Sequence, residues 1–283
     1  MTLRLTVLGV PITIDVASRG AVRALRAHLG RFERGREEAR LGPGGGGRRY
    51  AVRREGLSGY TLEVLDTGQR ARAWSLGELL YALDSDLIVQ VQRLRPELLF
   101  VHAAVVESAG RAHLLIGASG AGKSTTCWGL LQRGFRFVSD ELAPIDVDEG
   151  TVMPFPRALH LKTLPPGGLG SDARALRTSR GAHVMVPTER SVPLERALPI
   201  AELFFVRHDP RAEAPTLTRL RPAEAAARLY PNVLNALAHS NAGLAATAAV
   251  ATQCSAWDIT TAALLPSCDA IANIAQDRPG CVA

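Results

Sequence analysis

The chain has 283 residues, 47% of them apolar and 21% charged, which suffices for a core and excludes a mainly disordered protein. Aromatic residues make up 5%, too few for a broad surface that stacks bases or sugars. The net charge of +6 is uneven: residues 1–100 hold 16 arginines against 11 acids, and the remainder is nearly balanced.

Residues 2–14 predict a strand, a turn at Gly9-Val10-Pro11 and a second short strand. The alternation of Leu3–Ile14, with Arg4 inside it and Asp15 just after, is not that of a secretory signal. From Gly20 to Arg40, Val22, Leu25, Leu29 and Phe32 keep helical spacing. The arginines between Arg19 and Arg54 form either a solvated face or a surface for nucleic acid, an acidic peptide or a neighbouring subunit. The glycine run at 42–47 predicts a flexible joint or exposed hairpin tip. Tyr50–Arg54 and Tyr60–Leu65 read as strands of a small β-rich unit. Ser75 is placed to cap a helix over Leu76–Leu87, with Glu78 three residues on; its spacing runs to Leu94, and Pro96 ends it.

From Leu98 the pattern changes. Phe100–Val106 predicts a strand, and Ala112–Ile116 a second one that leads into Gly117. Lys123–Arg133 predicts a helix ended by Gly134, and Phe135–Val138 a strand running into Asp140-Glu141. Ile145–Val147 and Val152–Phe155 follow as strands around a turn. Residues 165–182, rich in Pro, Gly, Ser, Ala and Arg, read as an exposed excursion with the character of a lid. Leu203–Val206 is a strand with Leu217–Leu220 as its partner, and Pro222 opens a helix over Ala223–Tyr230. Val233–Val250 is helix-like with an interruption at Asn241–Gly243, and Ile259–Ala283 carries no readable pattern. The alternation of strands and helices places the chain in the α/β class, with a small α+β unit over 1–95 before a larger domain over 96–283.

Gly117-Ala-Ser-Gly-Ala-Gly-Lys-Ser-Thr125 fits the phosphate-loop pattern in full, and its strand–loop–helix setting is the one that pattern requires. Only two of the 33 basic residues are lysines, Lys123 and Lys162, and one of them occupies the loop. A compact ammonium on a flexible stem follows β- and γ-phosphates better than a planar guanidinium does. Backbone N–H groups from Ser119 through Gly120, Ala121, Gly122, Lys123, Ser124 and Thr125 would surround a β-phosphate. The Ser124 hydroxyl would hold Mg²⁺. Asp140 and Glu141, at the end of an apolar strand, supply the two carboxylates such chemistry needs, one for the metal and one as base, with the labels interchangeable. His102, 15 residues before Gly117, would approach the γ-phosphate or the second carboxylate if the strands run parallel. Arg157 and Lys162 are candidates to neutralise the transferred phosphoryl group or to grip an acidic acceptor. Arg207, His208 and Asp209, ending a strand, would line an acceptor site.

The cysteines at 127, 254, 268 and 281 lack metal-ligand spacing, and Cys127 reads as a buried thiol. No apolar stretch approaches the roughly 18 residues a spanning helix needs, so the expectation is a soluble, cytoplasmic protein without membrane contact.

His102, the loop at 117–125 and Gly134-Phe-Arg-Phe-Val-Ser-Asp-Glu141 together resemble the kinase domain of the HPr serine kinase/phosphorylase family. The resemblance is closer still to its stand-alone relatives in modified-peptide (lasso peptide) biosynthesis, and covers residues 96 to 165. It implies a P-loop kinase core of the HPr kinase C-terminal type, with ATP as donor, Mg²⁺ and a serine hydroxyl of a peptide or small protein as acceptor. It also implies a functional role for His102, where Ala103 replaces the family's glycine, and for Asp140 and Glu141, where the family has two aspartates. The second substitution is compatible with kinase chemistry and weakens the case for the reverse reaction. The basic N-terminal unit is read as recruiting substrate or forming a homo-oligomer. A small-molecule hydroxyl kinase and an NTP-dependent regulatory or assembly protein with weak hydrolysis are the alternatives. A nucleic-acid-handling ATPase has only the basic segment in its favour.

Overall fold

The computed structural model describes residues 1–34, 47–56, 59–165, 173–178, 181–186 and 190–276. Residues 42–46 of the expected joint at 42–47 and Cys281 lie outside them, as do residues 166–172 and 179–180 of the expected excursion. The fold is mixed α/β and divides into two compact units, one of residues 1–95 with 157–187, the other of 96–156 with 188–283. Residues 157–187, expected to belong with the downstream domain, join the first unit.

In the first unit, β1 (Thr2–Val7), β2 (Val10–Val16), β3 (Arg48–Glu55), β4 (Gly59–Val64) and β5 (Gln69–Ala73) form one sheet in that order. The turn falls at Leu8-Gly9, both with positive φ, as a tight hairpin demands, and Pro11 lies inside β2 opposite Thr6. Alternate residues of β1–β4 such as Leu3, Leu5, Ile12, Ile14, Tyr50, Val52, Leu62 and Val64 are buried on one face. Helices α1 (Arg19–Leu29) and α2 (Leu76–Leu94) pack on this sheet and touch each other. Ser75 caps α2 by accepting the Glu78 N–H at 3.1 Å. The Tyr50 hydroxyl donates to Asp86 on α2 at 2.6 Å, tying helix to sheet.

The second unit holds β6 (Leu99–Val101), β7 (Ala103–Ser108), β8 (Arg111–Ile116), α3 (Lys123–Leu131), β9 (Arg136–Ser139), β10 (Ala143–Asp146) and β11 (Thr151–Val152). Its sheet is completed by three strands of the C-terminal part, introduced below with their helices. The intervening β12 (Leu159–Leu161), β13 (Arg174–Thr178) and β14 (Gly181–Val186) belong to the first unit as a small antiparallel sheet. Thus the described parts of the expected excursion are strands, held by pairing between segments that carry few buried residues of their own.

Beyond them lie β15 (Leu198–His208), β16 (Thr216–Arg219), α4 (Pro222–Leu229), α5 (Leu244–Gln253), β17 (Ser255–Thr261) and α6 (Leu264–Gln276). β15 runs parallel to β8 on one side and to β17 on the other. β16 pairs with β17, not with β15 as expected, because β15 already has both edges occupied. β7 is antiparallel to both β8 and β9, so β9 runs in the direction of β8. The apolar run expected as one strand over Phe100–Val106 is broken at His102: β6 pairs with β10, whereas β7 pairs with β8 and β9. Leu114, Ile116, Val105, Leu203 and Phe205 lie within one buried apolar cluster beneath this sheet's working edge.

Candidate phosphate-transfer site

Strand directions decide what meets at that edge. The C-terminal ends of β8, β9, β15 and β17 and the N-terminal end of β7 all open on it, the arrangement in which α/β sheets bind ligands. Along the edge, in order, stand Asp140-Glu141 after β9, His102 before β7, the glycine loop after β8, Arg207-His208 closing β15 and Thr260-Thr261 closing β17.

The loop is shaped by close approach and by its glycines. A Cβ on Gly117 would stand 2.5 Å from the Val206 carbonyl oxygen, so only glycine passes there. Gly120 and Gly122 have φ of 89° and 94°, the left-handed region that side chains disfavour. Gly122 is the residue that turns the chain into α3. Ala118, Ser119 and Gly120 are exposed, whereas Lys123 is buried and its ammonium donates to the Gly117 carbonyl at 2.6 Å and the Ala118 carbonyl at 3.1 Å. Ser124 and Thr125 are half-buried in the first turn.

His102 comes to the loop through antiparallel pairing rather than the expected parallel strands: its neighbour Ala103 lies opposite Ile116, the last residue before Gly117. Its backbone N–H donates to the Asn232 carbonyl at 2.8 Å, which fixes the break between β6 and β7. Its Nδ1 lies 3.2 Å from the Glu141 carbonyl oxygen and 3.5 Å from Glu141 Oε1. The Ser139 hydroxyl accepts the N–H groups of Glu141 and Leu142, at 3.5 and 3.2 Å, and so shapes the turn that carries both acids. Asp140 is buried at 3% exposure, while the Glu141 side chain is 43% exposed. Burial raises the Cys127 thiol well above the usual range, and Asp140 adds to that rise, so the carboxylate lies within electrostatic reach of α3 one turn past Lys123.

Ser124 and Asp140 are hard oxygen donors, the set Mg²⁺ takes when phosphate and water fill its other positions. Among the described residues no cluster of three His, Cys, Asp or Glu side chains is placed to hold a metal by itself.

Arg157 and Lys162 fall in the first unit. Arg157, expected at the phosphoryl group, is buried and donates to Asp84 Oδ2 on α2 at 2.6 Å. His28 Nε2–H donates to the same oxygen at 2.7 Å, and the rings of His28 and His160 stand 4.9 Å apart. Burial works to raise the Asp84 pKa, but the charges of His28 and Arg157 prevail and hold it far below the usual carboxylate range. Burial, helped by His28 and Arg157, pushes His160 down to about 3. Lys162 is exposed.

Sequence reading missed Ser139, for which the serine directly before the acidic pair was an available signal. It also missed Asn232, which carries no local signal, and Thr260 and Thr261, at the end of the unread β17.

The loop thus has both the sequence and the strand–loop–helix setting of a phosphate-binding loop, with carboxylates and a histidine at the same sheet edge. No family model matches the chain. A 54-residue stretch is 44% identical to HPr kinase/phosphorylase of Lactobacillus acidophilus, covering 19% of this chain and 17% of that protein. In that match the chain spans about a sixth of its relative's length. The solved structure of the Hpr(Ser) kinase/phosphatase from Coxiella burnetii is similar over 62% of this chain and 95% of that one, with 12% identity and a TM-score of 0.31. No helix among the described residues is long and apolar enough to cross a membrane.

Proposed function

We propose that the chain is an ATP-dependent kinase of the HPr kinase-like type, with Mg²⁺, transferring the γ-phosphoryl group to a serine hydroxyl of a peptide or small protein. The observation that carries this reading is the convergence of the complete glycine loop, Asp140-Glu141 and His102 on one sheet edge. The local identity to a protein named HPr kinase/phosphorylase supports it.

In this reading the loop N–H groups and the α3 N-terminus receive the β-phosphate oxygens. Lys123 turns from the carbonyls of Gly117 and Ala118 to bridge the β- and γ-phosphates. Ser124 and Asp140 would hold Mg²⁺, which when bound neutralises charge on the β- and γ-phosphate oxygens. Glu141 takes the proton of the acceptor hydroxyl as its oxygen bonds to the γ-phosphorus and the bond to the bridging β-oxygen breaks, releasing ADP. His102 positions Glu141. Arg157 serves the fold of the first unit, to which Lys162 also belongs. The arginine-rich first unit would recruit that acceptor or a second copy of the chain, in the cytoplasm.

The test is transfer from γ-labelled ATP with Mg²⁺ to peptides and proteins encoded beside this one, with water as control. Label on a serine, lost in Lys123→Ala and Glu141→Gln, is the expected result. Release of inorganic phosphate alone, with every acceptor unlabelled, points instead to a hydrolytic switch. Labelling of a metabolite would move the acceptor to a small-molecule hydroxyl.

A further inference from the structure

We infer that His208, braced by Thr261, is a specificity-determining residue that contacts the nucleoside end of the phosphate donor; this rests on the kinase reading above. Position along the sheet edge is the first argument. Asp140 and Glu141 follow β9, two strands from the loop strand β8 on one side, or about 10 Å at the usual strand spacing. His208 closes β15, the immediate neighbour of β8 on the other side. The reacting phosphate must lie toward the carboxylates. A linear triphosphate seated across the loop therefore directs its nucleoside toward β15 and β17.

Proximity is the second. The Cβ of His208 lies 3.9 Å from where a Cβ on Gly122 would stand, at the N-cap of α3. The base of the His208 side chain therefore stands beside the first turn of α3. The Val206 carbonyl, two residues earlier, abuts Gly117 at the other end of the loop. Both ends of the loop are thus set against the last residues of β15, where His208 is exposed beside Arg207.

Bracing is the third. The Thr261 hydroxyl lies 3.2 Å from His208 Nδ1, which leaves Nε2 as the other polar atom of the ring. That nitrogen pairs with a sugar hydroxyl or a base edge in either tautomer. The flat ring face adds a surface for a base. Register holds the pair in place, since His208 and Thr261 are direct partners on parallel strands.

The experiment compares binding of Mg²⁺–ATP with binding of Mg²⁺–tripolyphosphate, which has the phosphates without the nucleoside, by calorimetry on the full chain. His208→Ala is expected to weaken ATP about tenfold, roughly 1.4 kcal/mol, and to leave tripolyphosphate within twofold. Intact tripolyphosphate binding also certifies that the variant is folded. Thr261→Val, which removes the brace and keeps the shape, is expected to weaken ATP alone by a smaller factor. Equal loss of both ligands in His208→Ala would show a phosphate contact and overturn the inference, as would no loss of either. Failure of the wild-type chain to bind either ligand, or binding that survives Lys123→Ala, would instead overturn the kinase reading on which it rests.

Discussion

His102 Nδ1 stands 3.2 Å from the Glu141 carbonyl and 3.5 Å from a carboxylate oxygen of the same residue, so one ring touches both the backbone and the side chain of the proposed base. A residue held at two points by its neighbour is positioned rather than merely adjacent. Glu141→Gln is therefore expected to lower the transfer rate by about 10²–10⁴ while nucleotide affinity stays near wild type. His102→Ala should cost about tenfold, and the double variant should be no slower than Glu141→Gln alone, since positioning is worthless without the group positioned. Single-turnover rates on the three variants check this; multiplied losses in the double variant would mean that His102 acts independently.

The two glycines at opposite ends of the loop's steric range should respond differently to alanine. At Gly117 the new methyl would meet the Val206 carbonyl at 2.5 Å, and backbone must move; destabilisation of about 1–3 kcal/mol with loss of nucleotide binding is expected. At Gly120 nothing lies within 4 Å, and the cost is only the strain of φ at 89°, about 1 kcal/mol. Thermal midpoints with and without Mg²⁺–ATP separate the two, and a Gly117→Ala variant as stable as wild type would contradict the packing described.

Asp84 accepts from both His28 and Arg157 in a buried setting. Asp84→Ala removes the buried carboxylate that Arg157 and His28 share, which should cost about 3–5 kcal/mol. Arg157→Ala should cost less, because His28 still serves Asp84. Hydrogen exchange over α1 and α2 reads this out locally, and both variants should keep tripolyphosphate affinity if Arg157 works for the fold rather than for catalysis.

Acid should destabilise the first unit over a defined window. The folded-state pKa of His160, about 3, lies below its ordinary value of 6.5, so between the two the unfolded chain binds more protons than the folded one. Stability then rises with pH through that interval, by up to about 1.4 kcal/mol per unit, and is lost on acidification below pH 6.5. Asp84 is depressed as well, so its contribution, present above its ordinary value of 3.8, disappears only at still lower pH. Denaturant midpoints of the first unit should fall between pH 7 and 5, and His160→Leu should flatten the slope; an unchanged slope would remove His160 as its cause.

What the sequence shows depends on whether a signal is local. The Ser75–Glu78 cap and the stop at Pro96 outline α2 because both act within one helical turn. The loop at 117–125 is legible for the same reason. The break at His102 is not, since an apolar run gives no sign that its strand changes partners midway. Leu217–Leu220 shows itself as a strand, but its pairing with β17 depends on a segment whose own pattern is faint. The assignment of Arg157 depends on an acid 73 positions earlier, and no window of sequence contains both.

That separation sets an order of events during synthesis. Asp84 and His28 leave the ribosome long before Arg157 and the strands that follow it, so the first unit must wait, with its buried acid lacking one cation, while the whole phosphate-loop segment is made. At roughly 5–20 residues per second the delay is about 4–15 s. For that interval the first unit is unfinished, and slow translation between residues 96 and 156 would prolong its exposure to proteases and chaperones.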